Sequence, residues 1–223
     1  MRGLVWGLLV VAGLWDLSGW DWALSSWFGD VSGFAARDSA WARVGLHEGL
    51  RVLYAVLLGV AVWQALQKPA PNSPSRAQRR WAVVVLLLVW LAVPALKQFS
   101  LTSCPWSLSA FGGDARWVPH WRLGEPDGGP GHCFPSGHAA GGFGFLALVS
   151  LWTPYRRMHP GPWRFWLGVV ALCGLAGSLA QVARGAHFLS HCLWSATLCG
   201  LMALLLVRPR RAAVPERPSP VRA

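Results

Sequence analysis

Long apolar stretches alternate with short polar connections along this chain. Six stretches rich in Leu, Val, Ala and Trp cover residues 3–14, 50–66, 81–96, 137–152, 163–183 and 188–207. Most of them approach the roughly 20 residues that a helix needs to cross the hydrocarbon layer of a bilayer. The first stretch is short and is followed by Asp16, so its ends are the least defined. The pattern predicts an all-α, polytopic membrane bundle of six transmembrane helices.

The composition is that of a membrane protein. Of the 223 residues, 54% are hydrophobic, 13% are charged and 16 are Trp, a balance unusual for a soluble domain. A basic residue followed by an apolar run at the N-terminus also resembles a signal peptide, but no small-x-small cleavage site follows it. Trp15, Trp20 and Trp22 are typical of an interfacial belt. We therefore expect residues 3–14 to be retained as a first helix; cleavage would leave the remaining topology unchanged.

The distribution of basic residues predicts the orientation of the bundle. The net charge is +11, and with the N-terminus inside the cell the inner segments hold thirteen Lys and Arg residues against one acid, Glu216. Such a bias is typical of cytoplasmic loops and predicts that both termini are cytoplasmic. We expect no nucleic-acid partner, because no basic run carries a motif that reads bases. The expected surroundings are the bilayer of a bacterial inner membrane, and the sequence does not define an oligomeric state.

Polar segments divide the chain into loops and a tail. Residues 68–80 form a Pro- and Ser-containing cytoplasmic loop, whereas residues 101–135 form a long outer loop between the third and fourth helices. Loops of that length usually carry function. Residues 208–223 are rich in Pro and Arg without periodicity, which predicts a disordered basic cytoplasmic tail. Residues 1–207 are expected to form one six-helix domain.

The five cysteines fall into two groups. Cys104 and Cys133 flank the outer loop, and in an oxidising compartment a disulfide between them is plausible. Cys173, Cys192 and Cys199 lie inside predicted spans and are interpreted as small buried apolar residues.

Three short segments meet at the outer membrane face in this topology. Lys97 ends the third span, Pro-Ser-Gly-His at residues 135–138 opens the fourth, and residues 184–191 form the turn between the fifth and sixth. Because the fourth span descends and the fifth returns, groups that are distant in sequence reach one depth. Ionisable groups at membrane-embedded helix ends are costly and tend to be functional.

Four of the residues in these segments suit a phosphate group. Ser136 after a proline predicts a helix cap, and the free amides of the first helical turn favour an anion. Gly137 allows a phosphate to approach the backbone closely. Lys97 and Arg184 add positive charge, although either alone is equally typical of a snorkelling anchor at a span end.

The histidines supply candidate catalytic groups. His187 and His138 are two imidazoles beside this anion site, so one can attack phosphorus while the other protonates the leaving oxygen. His191 follows His187 by four residues and would share its face if the segment were helical. From there it can orient the His187 ring through the second ring nitrogen.

A metal site is the alternative interpretation of this pair. His187 and His191 would need a third ligand, for which His132 is the best candidate, so we expect no metal. His47 and His120 are interpreted as ordinary interfacial residues.

With these residues in view, the chain resembles the type 2 phosphatidic acid phosphatase superfamily of integral-membrane lipid phosphatases. That family's pattern is Lys-x6-Arg-Pro, then Pro-Ser-Gly-His, then Ser-Arg-x5-His-x3-Asp. The corresponding blocks here begin at Lys97, at Pro135 and at Ala180, and the second is intact. The resemblance covers about 95 residues, from Lys97 to His191.

The resemblance implies roles for individual residues. His187 matches the nucleophile that forms a phosphohistidine, and His138 matches the acid for the leaving group. Lys97, Ser136 and Gly137 match positions that hold the phosphate. No metal or other cofactor is implied.

Three charged positions of the family pattern are occupied by other residues here. Cys104 and Gln181 stand where the family has arginines, and His191 stands in place of the aspartate that orients the nucleophile. Arg184, one helical turn after Gln181, is expected to supply one lost charge. Candidates for the other losses are loop residues, namely Arg116 or Arg122 for the second charge and Asp114 for the carboxylate.

The expected function is a metal-independent phosphatase that hydrolyses a phosphomonoester or pyrophosphate of a lipid at the periplasmic face through a phosphohistidine. One alternative is a lipid phosphotransferase, in which another lipid hydroxyl captures the phosphoryl group. The other is a catalytically impaired membrane protein that binds lipid headgroups. The sequence does not name the lipid.

Overall fold

The computed structural model describes residues 1–207, apart from the side chains of Arg43 and Leu46, and within them the fold is all-α. The α-helices are α1 Arg2–Ser18, α2 Trp20–Ser25, α3 Gly49–Leu66, α4 Arg76–Lys97, α5 Gly137–Phe143, α6 Leu146–Trp152, α7 Pro160–Ala183 and α8 Leu189–Leu206. A π-helix (Trp41–Glu48) precedes α3, and short 3-10 turns occupy Pro105–Ser107, Ser109–Phe111 and Thr153–Tyr155. A two-residue hairpin pairs β1 (Gly29–Asp30) with β2 (Gly33–Phe34) in antiparallel register. The predicted tail, residues 208–223, lies outside the described residues.

Among residues 1–207, four helices are long and apolar enough to cross a membrane, namely α3, α4, α7 and α8. They match four of the predicted spans closely and confirm the membrane character of the chain. α1 has 17 residues and carries Asp16 near its end. The count of six spans stays a prediction, as does their orientation.

The predicted fourth span is not one continuous helix. α5 ends at Phe143 and α6 begins at Leu146, with Gly144 between them and the amide of Phe145 donating to the carbonyl of Gly142 at 3.4 Å. Glycine weakens a helix because it gains so much freedom on unfolding. At Gly142, within α5, a glycine is needed for packing, since an added Cβ would lie 2.4 Å from the backbone nitrogen of Gly174 in α7. Close backbone contact between α5 and α7 therefore accompanies the break in the helix.

The core lies around α5 and α6. α5 packs against α7 and α8, and α6 packs against α4, α7 and α8. Every residue of α6 is buried, and the ring of Phe145 stacks on Trp166 with centroids 5.5 Å apart. α1 packs on α8. Leucines on the outward faces of α4 and α7, such as Leu91 and Leu172, remain exposed, as expected of side chains that contact lipid.

The outer loop, residues 101–135, is tied into the fold. Cys104 and Cys133 form a disulfide, which confirms that pairing. The buried carboxylate of Asp127 accepts hydrogen bonds from the amide and the hydroxyl of Ser103. The amide of Trp106 donates to the carbonyl of Gly185 at 2.9 Å, so the loop is fastened directly to the turn between α7 and α8.

Candidate active site

The turn that carries His187 is shaped by the end of α7. The amides of Ala186 and His187 turn back and donate to the carbonyl of Gln181 at 2.9 and 3.3 Å, and Gly185 takes a left-handed conformation with φ 67°. This is a common way to end a helix. A side chain at Gly185 would also collide with the ring of Phe34, at 2.3 Å. The reversal leaves His187 buried, with 4% of its surface exposed.

The start of α5 is held by a serine, as predicted. The buried Ser136 hydroxyl accepts a hydrogen bond from the amide of Ala139 at 3.4 Å. The carbonyl of Ser136 accepts from the hydroxyl of Ser195 in α8 at 2.9 Å, and its amide donates to the carbonyl of His191 at 3.3 Å. These bonds fix Gly137 and His138 in the first turn of α5 relative to α8.

Tyr54 fixes the backbone of His138 from another direction. Its hydroxyl, on α3, lies 3.2 Å from the carbonyl of His138 and 3.4 Å from that of Cys173 in α7. α3, α5 and α7 thus meet at one phenol directly beneath His138.

Four of the predicted site residues come together. The charges of Lys97, at the end of α4, and of His138 act on His187, and those of Lys97 and Arg184 act on His138. Burial holds the pKa of His187 well below its ordinary value, and the neighbouring positive groups shift it the same way. The ring of His187 is therefore neutral at neutral pH, which leaves it a lone pair.

His191 does not orient His187 in the predicted way. His187 precedes α8, so the two residues do not share a helical face, and their ring centroids are 5.8 Å apart with no hydrogen bond between them. Nδ1 of His187 lies instead 3.5 Å from Sγ of Cys133. The His191 ring is enclosed by aromatic neighbours, with its centroid 5.3 Å from that of Phe134 and 5.5 Å from that of His120.

Unpartnered polar atoms gather around these helix ends. Within residues 1–207, buried side-chain atoms of His138 (Nε2), Gln181 (Nε2) and His191 (Nδ1) make no hydrogen bond. Buried polar groups are normally satisfied, so such a cluster calls for a ligand or water. Gln181 lies one helical turn after Gly177, where an added Cβ would approach the His138 carbonyl to 3.1 Å. A small oxyanion with solvent matches this mixture of donors.

The family comparison agrees with this geometry. A family model described as the PAP2 superfamily matches residues 78–214, more than half of the chain. The chain belongs to the PAP2 superfamily. Members of that family are phosphatases, which supports phosphatase activity in a multi-pass membrane protein. No curated protein and no solved structure matches the chain.

The loop arginines do not replace the missing PAP2 arginines. Arg116 and Arg122 are exposed, and each pairs with Glu125 at 3.4 Å. Arg184, in contrast, is buried, and its Nε donates to the carbonyl of Arg37 at 3.2 Å. The interpretation of Arg116 and Arg122 as substitutes is therefore wrong, because both side chains are exposed in the loop and neither is among the charges that act on His138 or His187.

The interpretation of Asp114 as the missing carboxylate is also wrong. Asp114 is exposed and lines a surface cavity beside Arg37. The carboxylate of Asp16 does approach this region, with Oδ2 3.5 Å from Nε2 of His120, whose ring contacts His191. Sequence reasoning missed both residues, because Asp16 looked like an interruption of the first span and His120 like an interfacial residue. The side chain of His120 is only 7% exposed, and burial lowers its pKa to about 4.

The start of α8 depends on a second acid that sequence reasoning missed. Oδ1 of Asp21 accepts the amide of Ser190 at 3.0 Å and the indole of Trp15 at 2.7 Å. Burial raises the pKa of Asp21. An acid at a helix start is favourable, so α2 holds the segment that carries His191.

The residues present do not fit a metal. Ligand atoms of Cys133, His187 and His191 lie within 4.8 Å of one another, but Sγ of Cys133 is bonded to Cys104 and offers no thiolate. The predicted third ligand, His132, is exposed, and its Nδ1 faces the carbonyl of Lys97 at 3.3 Å. Two imidazoles remain, fewer than the ligands that a zinc site requires.

Proposed function

We propose that this PAP2 protein hydrolyses a phosphomonoester or pyrophosphate of a lipid at the periplasmic face of a bacterial inner membrane, through a phosphohistidine on His187. The observation that carries the proposal is that His187 is buried and neutral and interacts electrostatically with His138 and Lys97. A neutral imidazole is the form that can attack phosphorus.

In the first half of the reaction Nε2 of His187 attacks the phosphorus atom. Nδ1 is directed at the sulfur of Cys133, so Nε2 is the nitrogen left for the substrate. An N–P bond forms as the P–O bond to the lipid breaks, and His138 gives its proton to the departing oxygen. In the second half, water attacks phosphorus, His138 takes a proton from that water, and the N–P bond breaks. Inorganic phosphate leaves, and His187 is neutral again.

The remaining predicted residues would hold the phosphoryl oxygens. Lys97 and Arg184 balance the charge that develops in the transition state, and Arg can do so with two parallel hydrogen bonds. The backbone at Gly137 and the Ser136 cap provide the polar start of α5. In this scheme His191 supports the site through its packing rather than through a hydrogen bond to His187.

The membrane arrangement is part of the proposal. α1 and the pair α5–α6 would complete six spans, with both termini cytoplasmic and the catalytic residues outside. The disulfide between Cys104 and Cys133 supports an oxidising compartment for the loop, since such bonds rarely persist in the cytosol.

A lipid substrate is supported by an apolar cavity at the outer end of α4 and α8. It encloses about 480 Å³ and is lined mainly by apolar side chains, among them Leu96, Phe99, Leu123 and Leu198. Pro135, beside the Ser136 cap, also lines it. An apolar chain in this cavity would leave its headgroup beside α5.

The test is phosphate release by the purified protein in detergent. Phosphatidic acid, phosphatidylglycerophosphate and undecaprenyl pyrophosphate are supplied with EDTA present. We expect release from at least one substrate, abolished by His187→Ala and retained by His159→Ala, because His159 lies before α7 at the opposite end of the bundle. Equal rates for wild type and His187→Ala on every substrate would refute the mechanism. Labelled phosphate recovered in a second lipid instead of in solution would identify a phosphotransferase.

The departures at Cys104, Gln181 and His191 support a second candidate, an impaired protein that binds lipid headgroups. Such a protein would bind a lipid phosphate yet form no covalent vanadate adduct at His187. An adduct would argue against this candidate, because it requires a competent nucleophile.

A further inference from the structure

A group of residues before the three motif blocks reaches His138. The π-helix and the first turn of α3 carry His47, Glu48 and Arg51, and the ring of His47 lies against that of His138 with centroids 4.1 Å apart and planes inclined by 34°. The charge of Arg51 also acts on His138. The scheme above gives these residues no role.

One carboxylate links the members of this group. Oε1 of Glu48 accepts from Nδ1 of His47 at 2.8 Å, and Nη1 of Arg51 lies 3.3 to 3.4 Å from the two carboxylate oxygens. Because Glu48 occupies Nδ1, the orientation of the His47 ring is defined. The ring of His47 in turn restricts how the ring of His138 can turn.

The Arg51 side chain is available to a ligand. Its contact with Glu48 is exposed, and exposed ion pairs contribute little stability, so it exchanges readily for another anion. Within the described part of the chain, its Nε and Nη2 make no hydrogen bond. Arg51 lines a cavity of about 430 Å³ together with Gly137, Tyr54 and Trp90. Its guanidinium therefore borders the same opening as the first turn of α5.

The charge balance of the site leaves room for this residue. Two PAP2 arginine positions hold Cys104 and Gln181, which carry no positive charge, and the charges that act on His138 and His187 do not include Arg116 or Arg122. A phosphoryl group in transfer carries negative charge over several oxygens, which fixed cations stabilise.

We infer that Arg51 binds the substrate phosphate on the His138 side of the site, and that His47, held by Glu48, is a positioning residue for the His138 ring. The inference rests on the proposed function. Arg51 takes over part of the work of the missing arginines, from α3 instead of from the outer loop. His47 acts only through His138 and touches no reacting atom.

The kinetic test separates the two roles. Arg51→Ala should raise KM about tenfold, as for a lost charge-assisted hydrogen bond at an exposed side chain, and Arg51→Lys should recover part of the loss. Arg80→Ala is the matched control, since it removes one exposed arginine near the start of α4, at the end away from Lys97.

His47→Ala should lower kcat with little change in KM and shift the acid limb of the pH–rate profile. His47→Phe, which keeps an aromatic ring against His138, should recover part of kcat. Equal KM values for Arg51→Ala and Arg80→Ala would overturn the role of Arg51. An unchanged kcat and pH profile in His47→Ala would overturn that of His47.

A binding measurement keeps this inference apart from the proposed function. If wild type releases no phosphate from any lipid, the proposed function fails, and orthovanadate binding, followed by tryptophan fluorescence, then tests Arg51 alone. Wild type should bind vanadate about tenfold more tightly than Arg51→Ala. Equal binding would overturn the assignment. Should Arg51→Ala fail to fold, Arg51→Gln is measured instead, because it removes the charge and keeps most of the side chain; vanadate affinity equal to that of wild type would then be the refuting result.

Discussion

Removing the Cys104–Cys133 disulfide should destabilise the protein strongly. The two cysteines are 29 residues apart, and closing a loop of that length lowers the entropy of the unfolded chain by an amount worth about 3.5 kcal/mol. For a chain of this size that corresponds to a fall of roughly 10 °C in Tm. The Cys104→Ser, Cys133→Ser double variant should show this fall when thermal unfolding is followed in detergent.

The same variant also affects the surroundings of the nucleophile. Sγ of Cys133 lies 3.5 Å from Nδ1 of His187 and 3.1 Å from the carbonyl of Ala186. Without the disulfide the loop would no longer pack against His187 and Ala186. Phosphate release should therefore fall well below that of wild type at temperatures where the variant is still folded.

A reductant provides the internal control for this prediction. It should lower the Tm of wild type toward that of the double variant and leave the double variant unchanged, since Cys173, Cys192 and Cys199 form no disulfide. A double variant that melts with wild type would refute the reasoning. That result would mean that contacts such as Asp127 with Ser103 suffice to hold the loop.

Three further substitutions test the packing, the His138 anchor and the buried histidine. Gly142→Ala should unfold at a much lower temperature than wild type, because its Cβ would meet the backbone of α7. The control, Gly168→Ala, has open space around it and should be neutral or stabilising by up to about 1 kcal/mol. Equal Tm values for the two variants would contradict the packing argument. Tyr54→Phe should lose about 1 kcal/mol of stability and several-fold in kcat through the freed His138 carbonyl, and an unchanged kcat would remove Tyr54 from the account. His120 has a folded pKa of about 4 against 6.5 for the free side chain, so stability should be full above pH 6.5, fall by about 3 kcal/mol as the pH drops toward 4 and then level off. His120→Phe should flatten this part of the stability–pH curve, as measured by thermal unfolding across that range.

Hydrophobic runs and short motifs predicted much of this molecule. The long helices α3, α4, α7 and α8 follow from uninterrupted apolar sequence, and their ends agree with the prediction to within a few residues except at the start of α4. The predicted direction of each span places Lys97, His138 and His187 at the same end of the bundle. Such features are local, or depend only on the order of the helices along the chain.

The contacts that the sequence did not reveal join distant segments without a period. The region between α1 and α3 lies outside the predicted spans, yet it delivers His47 to His138 and Asp21 to α8. The break between α5 and α6 accompanies the fit of Gly142 against another helix, which no single segment encodes. His191 was misjudged because its spacing from His187 suggested a helix that begins only at Leu189.

The glycine contact between α5 and α7 has a mechanical consequence. Main chain meets main chain where Gly142 faces Gly174, with no long side chain between them to change rotamer. His138 lies in the first turn of α5 and His187 in the turn after α7, so the two histidines are mounted on one stiff unit. When a thinner or thicker bilayer tilts α7, α5 should tilt with it, so that the gap between the two imidazoles keeps its width.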